Sequence, residues 1–267
     1  MSGHDEHPLD LSTRIDDHAR TVTGGSVDGV RRSREFRRHG HIRGLRPVPV
    51  GYTHLVGEPS DQAARSALPA PTVLAAAYLA GSVPFSHLVA RQARGVDLRT
   101  VGSGTVSGTG VFRSVGFAAG MVAGIADLLK GAVGPVLAGR DRPGLAAVCG
   151  GLGVVGHNWS PFLRGAGGRG VSTAMGAMLP TVPAGSGVML AGLAFGRALG
   201  ESAIGCFVAD VALVPVARRV GGKAAAAAAA AVVVPMLAKR LTGNGPAPPP
   251  RWRTRTYRLL LDRDTRA

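Results

Sequence analysis

The sequence predicts an all-α, polytopic membrane helix bundle of about seven transmembrane helices, with a disordered N-terminal tail and a basic C-terminal tail. Three observations lead to that class. Apolar segments, several of them short, recur through 68–243. Across 71–238 the acidic residues are only Asp97, Asp127, Asp141, Glu201 and Asp210, too few to help solvate the surface of a soluble domain. Gly, Ala and Ser are abundant in the same stretch, which lets helix backbones approach closely in lipid.

Taken in order, residues 1–67 are polar, rich in Arg, Asp and His, and contain no apolar h-region. They read as a disordered tail and not as a signal peptide. The segment 68–90 can cross a hydrocarbon core, which takes about 20 helical residues, and Pro84 is expected to kink it. A polar loop follows, to about Thr109. The segment 111–138 carries Asp127 and Lys130, and 145–162 carries His157. Beyond a Gly-rich loop over 165–170, apolar sequence resumes at 171–199, where Pro180 and Pro183 are expected to break it in two. Segments 203–217 and 224–241 supply the last two helices. The run Ala224–Ala231 is only weakly apolar and is expected to pack inside the bundle. Cys149 and Cys206 lie in apolar stretches and read as small core residues. Residues 244–267 form a second tail, with a stiff Pro-rich spacer over 246–250. Its mix of Arg, Trp, Tyr and Leu over 252–261 suits either the membrane surface or solvent.

The formal charge of +15 could suggest a nucleic-acid partner. The basic residues do not line one helix, however, and few aromatics interleave with them. Many sit between and after apolar segments, where anionic lipid headgroups are the natural partner, so membrane lipids are expected and nucleic acid is not. The positive-inside rule places the loop with Arg91, Arg94, Arg99 and Arg113, the loop with Arg164 and Arg169, and the C-terminal tail on the cytoplasmic face. Arg140, Arg142, Arg218, Arg219 and Lys223 then fall on the opposite face, against the rule.

Three clusters carry chemistry. Gly102-Ser103-Gly104-Thr105, followed by Thr109 and Arg113, is a Gly/Ser/Thr loop entering a helix. Free backbone N–H groups, hydroxyls and a guanidinium suit a phosphate, although a flexible interhelical loop has the same composition. Asp127 and Lys130 share a helix face at i, i+3 inside a membrane segment, where an ionisable pair marks function or a structural ion pair. His157 closes a helix ahead of Gly167-Gly168-Arg169-Gly170, a second anion-binding turn with a fixed charge. No metal-ligand spacing is present, so neither metal nor cofactor is expected.

These clusters, together with Gly81-Ser82-Val83-Pro84-Phe85 and Gly95-Val96-Asp97-Leu98-Arg99, resemble the bacterial acyl-phosphate-dependent glycerol-3-phosphate acyltransferases of the PlsY type. The resemblance spans roughly 75–243 and includes Gly131, Gly156, Phe162, Val171 and Thr173. It implies a multi-pass protein of the plasma membrane with its site on the cytoplasmic face. The implied reaction moves a fatty acyl group from acyl phosphate to the 1-hydroxyl of glycerol 3-phosphate, giving lysophosphatidic acid and phosphate. On this resemblance Ser103, Arg113, His157 and Arg169 are the catalytic candidates. Gly102, Gly104, Thr105, Thr109, Asp127, Lys130, Gly167, Gly168 and Gly170 are the candidates for substrate and phosphate binding. Arg169 stands where the family has Lys. Thr105 and Gly110 stand where it has Asn. Val234-Pro235-Met236-Leu237 replaces a His-Arg-x-Asn motif, with Arg240-Leu241 retained. Two other readings fit the residues: a homologue that binds lipid or phosphate without catalysis, and a small transporter.

Overall fold

The computed structural model describes residues 68–262. The tail expected over 1–67 lies outside them. The described residues are helical and contain no strand.

Helix α1 (Ala70–Ser82) and helix α2 (Phe85–Arg94) form one apolar stretch interrupted at Val83-Pro84, where proline cannot continue the hydrogen-bond ladder. The kink expected at Pro84 is therefore a full break. Gly95, at φ 68°, stops α2 with a left-handed turn. Helix α3 (Gly108–Ser114) is capped by the Ser107 hydroxyl, which accepts from the Gly110 N–H at 3.2 Å. Gly116, at φ 136°, separates α3 from α4 (Phe117–Ala138). What reads in sequence as one segment over 111–138 is thus a short entry helix followed by a long one.

Helix α5 (Pro143–Asn158) leads through a 3-10 turn (Pro161–Leu163) to the short α6 (Val171–Met178). Helix α7 (Pro183–Ala198) begins at the second of the two expected proline breaks. Helix α8 (Ser202–Thr242) is 41 residues long and is broken at Gly221-Gly222, where φ and ψ leave the helical region. Helix α9 (Arg251–Leu261) follows a turn over 243–250 and packs on α8.

Three stretches are long and apolar enough to cross a membrane: Ala70–Arg94, Phe117–Ala138 and Ser202–Thr242. Their outer faces expose large apolar side chains, among them Phe117, Val122, Leu129, Val136, Val211 and Val234. In water such a surface would drive aggregation; in a bilayer it is the solvated face. The inner contacts are made by small residues. Gly131 of α4 lies against the Thr173 carbonyl of α6, and Gly176 of α6 against the Leu128 carbonyl of α4, with no room for a Cβ at either position. Gly81 and Gly153 make the corresponding approach between α1 and α5. Ala225, Ala228 and Ala229 bury one face of the alanine run, while Ala224 and Ala227 remain exposed.

Candidate functional site

The loops after α2, α5 and α7 and the end of α8 converge on one cavity of about 930 Å3. The two Gly-rich turns that stand far apart in sequence are joined there. The Val106 N–H donates to the Gly167 carbonyl at 3.2 Å. Asn244 completes the link: its amide nitrogen donates to the carbonyls of Gly104 (2.8 Å) and Gly167 (3.0 Å), and its oxygen accepts from the Gly167 N–H (3.1 Å). Its one donor group and one acceptor thus clamp both turns.

Ten of the thirteen site residues expected from the sequence line this cavity: Gly102, Ser103, Gly104, Thr105, Thr109, Arg113, Asp127, His157, Arg169 and Gly170. The Ser103 hydroxyl donates to the Thr105 hydroxyl at 3.0 Å. Arg113 is exposed and makes no hydrogen bond or ion pair among the described residues. Arg169 is buried, donates to the Lys239 carbonyl at 2.8 Å, and pairs through Nε with Asp262.

The other three do not line the cavity. Gly167 and Gly168 shape the turn beneath it. A Cβ on Gly168 would collide with the His157 ring and the Val106 carbonyl, so only glycine lets this turn pack on His157. Lys130 is buried in the bundle. It donates to the Val83 carbonyl at 2.6 Å and pairs with Asp127 at 2.9 Å. The Val83 carbonyl lies at the break made by Pro84, so this ammonium satisfies an acceptor left without a helical partner. Asp127 does reach the cavity, but its oxygens are engaged. The Ser86 hydroxyl donates to one at 2.6 Å, Lys130 pairs with the other, and the His157 Nδ1 stands 3.8 Å away. The pair expected as phosphate ligands thus ties α4 to α2 and to the break at Val83-Pro84, beside His157 of α5.

In the loop after α2, Asp97 accepts from the Arg99 backbone N–H (2.9 Å) and guanidinium (2.7 and 3.0 Å). These bonds hold the Asp97 carboxyl well below the usual carboxylate range. They also fix the start of the loop that carries Gly102–Thr105.

Sequence reasoning missed Asn244, Arg258 and Asp262, all within the segment set apart as a tail, and all lining the cavity. Only the turn composition Gly243-Asn244-Gly245 signalled that the chain reverses there. Arg240, recognised as a retained residue, is also on the wall and pairs with the buried Asp210 at 3.3 Å. The cavity therefore carries five guanidinium groups (Arg99, Arg113, Arg169, Arg240, Arg258) against three carboxylates (Asp127, Glu201, Asp262). It favours an anion.

Fold and site together define an integral membrane helical protein with a cationic, hydroxyl-lined cavity where helix ends meet. The sequence pattern of the glycerol-3-phosphate acyltransferase family matches residues 72–241, and the chain belongs to that family. A glycerol-3-phosphate acyltransferase of Desulforudis audaxviator is 38% identical over 163 residues, covering 59% of this chain and 80% of the relative. One from Myxococcus xanthus is 45% identical over 109 residues, covering 40% and 57%. The fold resembles the crystal structure of PlsY (YgiH), an integral membrane glycerol 3-phosphate acyltransferase, in its glycerol 3-phosphate form. The TM-score is 0.59 at 28% identity, covering 74% of this chain and 95% of that one. The lysophosphatidic acid form gives 0.58 at 26% identity.

Proposed function

We propose that the cavity binds glycerol 3-phosphate and acyl phosphate together and transfers the acyl group to the 1-hydroxyl. The chain is an acyltransferase of the glycerol-3-phosphate family; the donor, the residue roles and the topology are the parts proposed. The observation that carries them is the union of both Gly-rich turns around one cationic cavity in which Arg113 makes no hydrogen bond or ion pair among the described residues.

The hydroxyl oxygen of glycerol 3-phosphate attacks the acyl carbonyl carbon. The bond from that carbon to the phosphate oxygen breaks, and inorganic phosphate leaves with the electron pair. The hydroxyl proton passes to a phosphate oxygen of donor or acceptor. Acyl phosphate is already activated, so no covalent protein nucleophile is needed; cationic groups offset the charge that develops on the departing phosphate. Arg113 and Arg169 take the phosphate groups, while Ser103, Thr105 and Thr109 supply hydroxyls. His157, packed against Gly168 and near Asp127, shapes the wall between them.

A 41-residue helix would measure about 60 Å at 1.5 Å per residue, twice the hydrocarbon thickness, so the break at Gly221-Gly222 gives α8 two crossings. With α1/α2, α4, α5, α6 and α7 this gives a seven-helix arrangement, in which the eight-residue α6, at about 12 Å, spans only part of the hydrocarbon. The charged loops around the cavity then face the cytoplasm at the plasma membrane, by the excess of Arg on that side. Lipids surround the apolar faces and accept the product.

Purified protein in detergent, given acyl phosphate and labelled glycerol 3-phosphate, is expected to release lysophosphatidic acid and phosphate. An acyl thioester offered as the only donor is expected to give no product. Turnover with the thioester and none with acyl phosphate overturns the donor assignment.

A further inference from the structure

The family match ends at residue 241, but the chain continues and folds back over the cavity. Helix α9 is tied down from within. Arg258 is buried and donates to the carbonyls of Thr242 (2.7 Å), Gly245 (3.0 Å) and Pro246 (3.3 Å). Arg240 of α8 reaches the Leu259 carbonyl at 3.4 Å. The effect is to bring Leu261 and Asp262 to the cavity wall.

Asp262 stops α9 in the left-handed conformation, at φ 55°. Glycine is the usual residue at such a stop. Aspartate tolerates the conformation and adds a carboxylate, and that carboxylate pairs with Arg169.

We propose that Asp262 is an internal counter-ion that occupies the anion position of Arg169, so that α9 sets the affinity of the cavity for phosphate-bearing substrates. The inference rests on the reading of this cavity as a phosphate site. A carboxylate and a phosphate compete for the same guanidinium, and two anions held side by side repel. Phosphate binding at Arg169 therefore requires the Asp262 carboxylate to move aside. Arg169 does not need Asp262 for its placement, because its guanidinium also donates to the Lys239 carbonyl. Burial pushes the Asp262 carboxyl upward against the pull of Arg169, Arg240 and Arg113. The internal pair is thus held at a desolvation cost and yields to a more highly charged anion. Asp262 is a positioning residue and takes no part in the bond changes.

The test compares full-length wild-type protein with Asp262→Asn and Asp262→Ala. Initial rates are measured against glycerol 3-phosphate at saturating acyl phosphate, and inorganic phosphate is titrated as a competitive inhibitor. The pair is partly exposed, so the expected effect is modest. Both variants lower KM for glycerol 3-phosphate, and the inhibition constant of phosphate, by about three- to tenfold, the upper value corresponding to about 1.4 kcal/mol. The turnover number is retained. An unchanged KM overturns the proposal. So does a raised KM, which would mean that Asp262 holds Arg169 in its productive position. If the wild type neither turns over nor is inhibited by phosphate, the reading of the cavity has failed and this assignment with it. If the wild type is active and the variants match it, only the assignment to Asp262 falls.

Discussion

Replacing Asn244 with alanine removes the clamp between the two Gly-rich turns. Three hydrogen bonds are lost, to the Gly104 carbonyl, the Gly167 carbonyl and the Gly167 N–H. A hydrogen bond contributes about 0.5–1.5 kcal/mol net. The bond to Gly104 is exposed, so water replaces it at little cost, and the two partly buried bonds to Gly167 dominate. The total is about 1–3 kcal/mol. The Val106 N–H to Gly167 carbonyl bond remains, so the turns loosen without separating. Stability of the bundle is expected to change little, because Arg258 still anchors α9 to the end of α8. The loss instead appears in the alignment of the phosphate groups, as a fall of about 10- to 100-fold in kcat/KM. Asn244→Asp keeps the acceptor for the Gly167 N–H but sets a carboxylate oxygen against the Gly104 and Gly167 carbonyls and adds a negative charge to the phosphate cavity, so it is expected to fall below alanine. Rates of acyl transfer in detergent, with a thermal melt as control, measure this. Wild-type kcat/KM in Asn244→Ala would refute the reasoning that Asn244 assembles the site.

Two further outcomes are expected. Lys130→Ala leaves Asp127 and the Val83 carbonyl short of a buried partner, and removing one member of a buried pair costs about 3–5 kcal/mol. A thermal melt in detergent should show a clearly lowered midpoint, whereas a wild-type midpoint would mean that Lys130 is not structural. The second outcome concerns pH. The folded carboxyl of Asp97 is depressed by Arg99, so its contribution to order in the loop after α2 is fully present above the unfolded carboxylate value of about 4. That contribution is lost only as pH falls through the lower, native value. Hydrogen exchange at the Arg99 amide, corrected for intrinsic rates, should stay protected to pH of about 4 in wild type and be less protected at neutral pH in Asp97→Asn. Equal protection in both proteins would contradict this.

Much of the architecture was legible because it is local. Pro84 and the Pro180–Pro183 pair interrupt helices by removing a hydrogen bond, and a sequence displays them directly. The division of 202–242 was readable as a polar gap between two apolar segments, but not as the Gly221-Gly222 turn that makes it. Gly116 was not legible: a single glycine among many in an apolar run gives no sign that it alone carries a positive φ. The Gly/Ser/Thr loop and the Gly-Gly-Arg-Gly turn were readable as separate anion-binding elements. Their union was not, since Asn244 meets Gly104 across 140 residues of chain. Asp127 and Lys130 stood out as ionisable groups in lipid, but sequence does not distinguish a ligand-binding pair from one that answers a carbonyl freed by a distant proline. Asp262 was hidden for the same reason, lying in a segment whose composition resembles a solvated tail.

The most direct measurement is the acyl-transfer rate of the purified protein with acyl phosphate and labelled glycerol 3-phosphate, alongside Ser103→Ala, Arg113→Ala and Arg169→Ala. Lysophosphatidic acid formation by the wild type, reduced to background in each variant, is the expected result. Wild-type rates in all three variants would contradict the assignment of catalysis to this cavity.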